Sequence, residues 1–108
     1  MTPEEHDTVC CLVSHLPHLI ANAYLWGVLK ERKKVYPLAG PYFRDFVRVA
    51  GSNPEVWADI FWTNREEILE RARKFKECFM ELCEILENND AQRLLEFLKT
   101  LEDRRKEL

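Results

Sequence analysis

At 108 residues the chain has the length of one domain, and with 46% hydrophobic and 32% charged residues it has the apolar content for a core. Sixteen Lys and Arg against 19 Asp and Glu leave a net charge of −3, which implies no general affinity for nucleic acid. No run approaches the roughly 18 apolar residues of a membrane helix, the opening Thr2-Pro3-Glu4-Glu5 is unlike a signal peptide, and three isolated glycines, Gly27, Gly40 and Gly51, cannot form a nucleotide cradle.

The first predicted element is a helix from about Pro3 to Lys33. Thr2 is a good N-cap, Pro3 suits the first helical position, and Glu5 follows Thr2 by three, which is a capping box. Val9, Leu12, Val13, Leu16, Ile20, Tyr24 and Val28 keep helical spacing on a wide apolar face, as a helix covered on several sides requires. Pro17 has no N–H for the carbonyl of Val13, so a kink is expected there.

Pro37, Gly40, Pro41, Gly51 and Pro54 break the stretch from Lys34 to Pro54, leaving room for one short helix over about Tyr42 to Ala50. Ser52-Asn53-Pro54-Glu55 signals a second start, and nothing in the pattern interrupts that helix before about Glu87. From Ile68 the steps to Ala72, Phe75, Phe79, Leu82 and Leu86 run 4, 3, 4, 3, 4, a heptad seam. Asn88-Asn89-Asp90 reads as a turn, and Ala91 to about Lys106 as a last amphipathic helix with Leu94, Leu95, Leu98 and Leu101. With no strand candidate the fold class is all-α. A helix of about 33 residues is roughly 50 Å long, whereas a chain of this size folds to a radius of gyration near 13 Å. The seam therefore needs a partner, and the economical one is a second copy in an intertwined homodimer.

Polar residues in the apolar first helix are the candidates for chemistry. Ser14, His18 and Asn22 are spaced i, i+4, i+8, and His15 neighbours His18. They read either as satisfied buried polar groups, with Ser14 or His15 bonded to a carbonyl freed near Pro17, or as part of a site. His6, Cys10, His15 and His18 match no common zinc spacing, so no metal is expected. Cys10, Cys11, Cys78 and Cys83 contain no CxxC pair and read as reduced cysteines of a cytoplasmic protein. Arg48, among Phe43, Phe46, Val47 and Val49, is expected to be partly buried and to need an anion, from the protein or from a ligand. Trp57, near a helix start, reads as core or as the wall of a pocket.

Four blocks together carry a resemblance: Thr2-Pro3-Glu4-Glu5-His6-Asp7, Val13-Ser14-His15-Leu16-Pro17-His18-Leu19, Phe43-Arg44-Asp45-Phe46-Val47-Arg48-Val49-Ala50, and Ser52-Asn53-Pro54-Glu55-Val56-Trp57-Ala58-Asp59-Ile60. In order and spacing, over about the whole chain, they resemble the C-terminal helical domain of prephenate and arogenate dehydrogenases. The resemblance implies that residues 1–108 are the dimerisation and substrate-pocket domain of an enzyme that oxidatively decarboxylates prephenate to 4-hydroxyphenylpyruvate on the route to tyrosine. It implies NAD or NADP held by an N-terminal Rossmann domain that this chain lacks, a fragment or a separately made domain, no catalytic residue here, and inactivity of this domain alone. It carries a substrate-binding role to Ser14, His18, Arg48 and Trp57, with His15 as the second motif histidine. Ala39-Gly40-Pro41-Tyr42 departs from the family's glycine run, which bears on the choice between prephenate and arogenate. Partners expected are a second copy, the Rossmann domain and the small-molecule substrate, with no nucleic acid and no membrane. The rival readings are a non-catalytic helical interaction module, which a buried, carboxylate-paired Arg48 would favour, and an all-helical chorismate mutase.

Overall fold

The computed structural model describes residues 1–35 and 38–108; Pro37, read above as a breaker, lies outside them. Every regular element among the described residues is helical: α1 (Pro3–Cys10), a π-helical turn (Cys11–His15), α2 (Leu16–Glu31), α3 (Pro41–Val47), α4 (Pro54–Thr63), α5 (Arg65–Glu87) and α6 (Ala91–Arg105). The chain divides into two compact units, residues 1–72 and 73–108, with the boundary inside α5.

In the first unit, the Thr2 hydroxyl accepts from the Glu5 N–H at 3.0 Å and the Glu5 carboxylate accepts from the Thr2 N–H at 3.2 Å, so the capping box forms as expected. The helix then runs to Glu31 without a gap, ending where Arg32 turns extended at φ −143°. The irregularity expected at Pro17 takes the form of the π turn just before it, in which the Leu16 N–H donates to the Cys11 carbonyl. An extra residue is thereby accommodated in the turn, and the buried positions Cys11 and Leu16 are five apart instead of three or four. Residues 3–31 are long and apolar enough to cross a membrane by length and composition, which corrects the expectation that no run approaches that length. A helix enclosed by other helices has the same composition.

The short helix is Pro41–Val47, ending three residues before the expected limit, with Gly40 as N-cap and Pro41 at the first position. It packs on α2 through Tyr24, whose ring lies 4.9 Å from Phe46 and 6.3 Å from Phe43. The chain then reverses through Gly51 and Asn53, both left-handed at φ 75° and 39°. Asn53, within the expected start signal Ser52-Asn53-Pro54-Glu55, caps α4 by accepting from the Val56 N–H.

The helix expected to run unbroken to Glu87 is divided at Asn64. Its side-chain amide donates to the Ile60 carbonyl at 2.9 Å, the same acceptor its backbone N–H uses. A side chain competing for a helical carbonyl distorts the helix locally. Periodicity carries no trace of this, because Asn64 falls on a polar position.

In the second unit the heptad seam is only partly covered. Phe75 meets Phe79 edge to face at 6.1 Å, but Phe79 is 57% and Leu86 59% exposed, while Ile85, outside the predicted seam, is buried at 2%. The turn at residues 88–90 is as expected, with Asn89 left-handed and Asp90 capping α6 by accepting from the Arg93 N–H. On α6, Leu95, Leu98 and Leu101 stay about half exposed.

Candidate functional site

The site forms where α2 and α4 meet within the first unit. Trp57, in the first turn of α4, lies flat on the His18 imidazole with centroids 3.6 Å apart and planes 16° from parallel. His15 presents its ring edge-on to the same indole at 6.3 Å, and Phe61, one turn further along α4, contacts His18 at 5.7 Å and Trp57 at 5.8 Å. The four rings are one cluster, with Trp57 in contact with the other three.

His18 is 4% exposed. Burial pushes its pKa below the usual imidazole value, partly opposed by a hydrogen bond at its own backbone, so the ring is neutral at physiological pH. Its Nδ1 lies 2.9 Å from the Asn22 amide nitrogen, which also donates to the His18 carbonyl at 2.8 Å. The Asn22 oxygen accepts from the Gly51 N–H at 3.0 Å, tying α2 to the turn after α3. His18 Nε2 has no hydrogen-bond partner among the described residues.

Two of the predicted site residues sit differently from expectation. Arg48 is exposed, beyond the last turn of α3, and forms neither an ion pair nor a hydrogen bond among the described residues. The partial burial expected from its apolar neighbours fails because Arg48 keeps helical backbone angles and shares a face with exposed Arg44, four residues back, while Phe43 and Phe46 make the contact with α2. Ser14 is exposed although His18 is buried, because the π turn rotates it off the line that regular spacing would give. Among the described residues, neither Ser14 nor His15 satisfies a freed carbonyl, and His15 Nδ1 is buried without a partner. The structure thus brings together His15, His18 and Trp57, adds Phe61 and Asn22, and leaves Ser14 and Arg48 at the surface. The i+4 spacing from His18 was the available signal for Asn22; Phe61 lies four residues after Trp57 and reads as ordinary core.

A separate polar cavity of about 460 Å³ lies against α1 and the α4–α5 junction; of the predicted residues it takes only His15, with Cys11, Asp7 and Glu67 among its walls. The Cys11 thiol pKa is raised, first by burial and then by the Glu67 carboxylate, with Arg71 opposing, so the thiol stays protonated and poorly nucleophilic. No cluster among the described residues has the donors for a metal ion. The glycines are scattered over a helix interior, a cap and a turn, so these residues do not fit a dinucleotide.

Among the described residues, the chain is an all-helical domain with a stacked histidine–tryptophan pair and several large apolar side chains left exposed. Comparison with known proteins makes this specific. The family described as "Prephenate dehydrogenase, dimerization domain" matches residues 2–100. The chain is 38% identical over 112 residues to the prephenate dehydrogenase of Bacillus subtilis (strain 168), covering 97% of this chain and 29% of that protein. Among solved structures, the prephenate dehydrogenase from A. aeolicus in complex with hydroxyphenyl propionate and NAD+ matches with a TM-score of 0.85 at 35% identity, over 99% of this chain and 38% of that one. Synechocystis arogenate dehydrogenase matches with a TM-score of 0.88 at 28% identity, over 100% and 41%. The chain belongs to the prephenate dehydrogenase dimerization-domain family. It spans about a third of the length of the curated relatives it matches.

Proposed function

We propose that this chain is the dimerising and substrate-holding part of a cytoplasmic, NAD- or NADP-dependent enzyme that oxidatively decarboxylates prephenate, or its amino counterpart arogenate. The observation that carries the reading is a neutral His18, stacked on Trp57, whose Nε2 has no partner among the described residues; Arg48, exposed and unpaired among the described residues, is the cation the same reading assigns to a substrate carboxylate. Prephenate carries two carboxylates, and a planar guanidinium grips a carboxylate bidentately. A non-catalytic module would need no such group, and among the described residues Arg48 is not the buried, carboxylate-paired residue that would favour that class. The nicotinamide chemistry belongs to a dinucleotide-binding domain outside these residues.

Homodimerisation is part of the same reading. The second unit buries only Ile85 among its large apolar side chains, while Phe79, Met80, Leu86, Leu95, Leu98 and Leu101 stay at least half exposed. A stretch of this size with one fully buried large apolar side chain has little core of its own, and this many exposed apolar side chains on two helices are what an interface provides. A second copy presents the same faces, as a two-fold interface requires.

The purified chain mixed with prephenate and NAD or NADP is expected to give no change in nicotinamide absorbance. Adding a dinucleotide domain from the same family, or supplying it in one polypeptide, should be required for turnover. Turnover by the chain alone would mean that the chemistry resides in these residues after all.

A further inference from the structure

We propose that Asn22 is a positioning residue: it locks His18 as the Nε2–H tautomer and ties that ring to the turn that follows Arg48. The functional meaning of the lock rests on the substrate-holding role of His18 and Arg48, but the lock itself does not.

The argument begins with the Asn22 amide. At one end stands a fixed donor, the Gly51 N–H, 3.0 Å from the Asn22 oxygen. At the other stands a fixed acceptor, the His18 carbonyl, 2.8 Å from the Asn22 nitrogen. Turning the amide over would set donor against donor at Gly51 and acceptor against acceptor at His18, so two backbone groups fix its orientation. The group 2.9 Å from His18 Nδ1 is therefore an N–H donor. Nδ1 must accept, and in a neutral imidazole the proton then sits on Nε2. The ring's other contacts are Trp57 and Phe61, which hold no charge to compete. His18 consequently offers Nε2–H as a donor, the polarity an anionic ligand needs.

Gly51 adds the second half of the device. It lies three residues after Arg48, in a turn made possible by its φ of 75°. One side chain on α2 thus holds both the proton position on His18 and the backbone near the free guanidinium. Moving that turn pulls on the amide that sets the tautomer.

The test is a long-range ¹H–¹⁵N correlation spectrum of the ¹⁵N-labelled chain near pH 7.5, with His18 assigned through His6→Gln and His15→Gln variants. The wild type is expected to show Nε2 protonated and Nδ1 bare, in one tautomer. Asn22→Asp keeps an acceptor for the Gly51 N–H but replaces the donor facing Nδ1 with a carboxylate oxygen. The proton should then appear on Nδ1, moving the ratio of Nδ1–H to bare Nδ1 by roughly tenfold or more, since hydrogen bonds to charged groups outweigh neutral ones by about that factor. Asn22→Ala, with neither preference, should give a mixture of tautomers. An unchanged tautomer in Asn22→Asp, or Nδ1–H in the wild type, overturns the proposal. A purely structural Asn22 would change melting temperature without moving the proton. No substrate is involved, so these outcomes stand apart from whether the chain serves a prephenate dehydrogenase.

Discussion

Arg48→Ala is expected to lower kcat/KM for prephenate by roughly 10- to 150-fold in an enzyme carrying this domain. That range follows from the loss of one charge-assisted hydrogen bond, worth about 1.5–3 kcal/mol. The loss should fall mainly on KM if the carboxylate is held equally in the ground and transition states. Arg48→Lys should recover only part of it, because an ammonium cannot reproduce the two-pronged guanidinium contact. Since Arg48 is exposed and touches no protein anion, the alanine variant should keep its melting temperature. Steady-state kinetics alongside thermal denaturation checks both halves. A fall in melting temperature with kcat/KM intact would make Arg48 a structural residue.

Trp57→Ala is expected to have the opposite profile, with a large loss of stability. The indole is the hub of the ring cluster, stacked on His18 and touching His15 and Phe61. Truncating a buried tryptophan to alanine costs about 3–5 kcal/mol, and partial exposure of Trp57 puts it near the lower end. For a domain of this size, about 3 kcal/mol corresponds to a fall in melting temperature of roughly 12–24 °C. Trp57→Phe keeps a flat ring for the stack and should retain most of the stability. A melting temperature within a few degrees of wild type for Trp57→Ala would show that the cluster does not hold the first unit together.

The helices were largely legible because their signals are local. Thr2 with Glu5, Pro3, the Asn88-Asn89-Asp90 turn and the apolar periodicity each act over one or two turns of chain, and each appears as written. Two irregularities were not legible in form: Pro17 signalled a kink but not a π turn, and Asn64 gave no signal at all. The π turn at Cys11–His15 depends on how α2 adjusts ahead of Pro17, and the break at Asn64 depends on a side-chain rotamer that spacing cannot express. Both had consequences for the site: the first carries Ser14 away from His18, and the second divides the long helix just beyond Phe61.

Burial was legible for His18 and not for Arg48. His18 lies on an apolar helix and is covered by Trp57 and Phe61 of α4, whereas the apolar neighbours of Arg48 in sequence lie on other faces of its own helix and Arg48 shares its face with exposed Arg44. The Asn22–Gly51 link spans 29 residues of chain, so no local pattern could show it. The half-exposed seam of α5 and the leucines of α6 are the same matter on a larger scale: the repeat is plain in the sequence, but how much of it this chain buries is not.

Sedimentation equilibrium of the purified chain at micromolar concentration therefore tests the central claim, that this fold is completed by a second copy of itself. The expected result is a single species of about twice 12.9 kDa, held by an interface burying more than about 2,000 Å² in total, as obligate homodimers do. A well-behaved 12.9 kDa monomer, folded and soluble with its apolar faces uncovered, would contradict it.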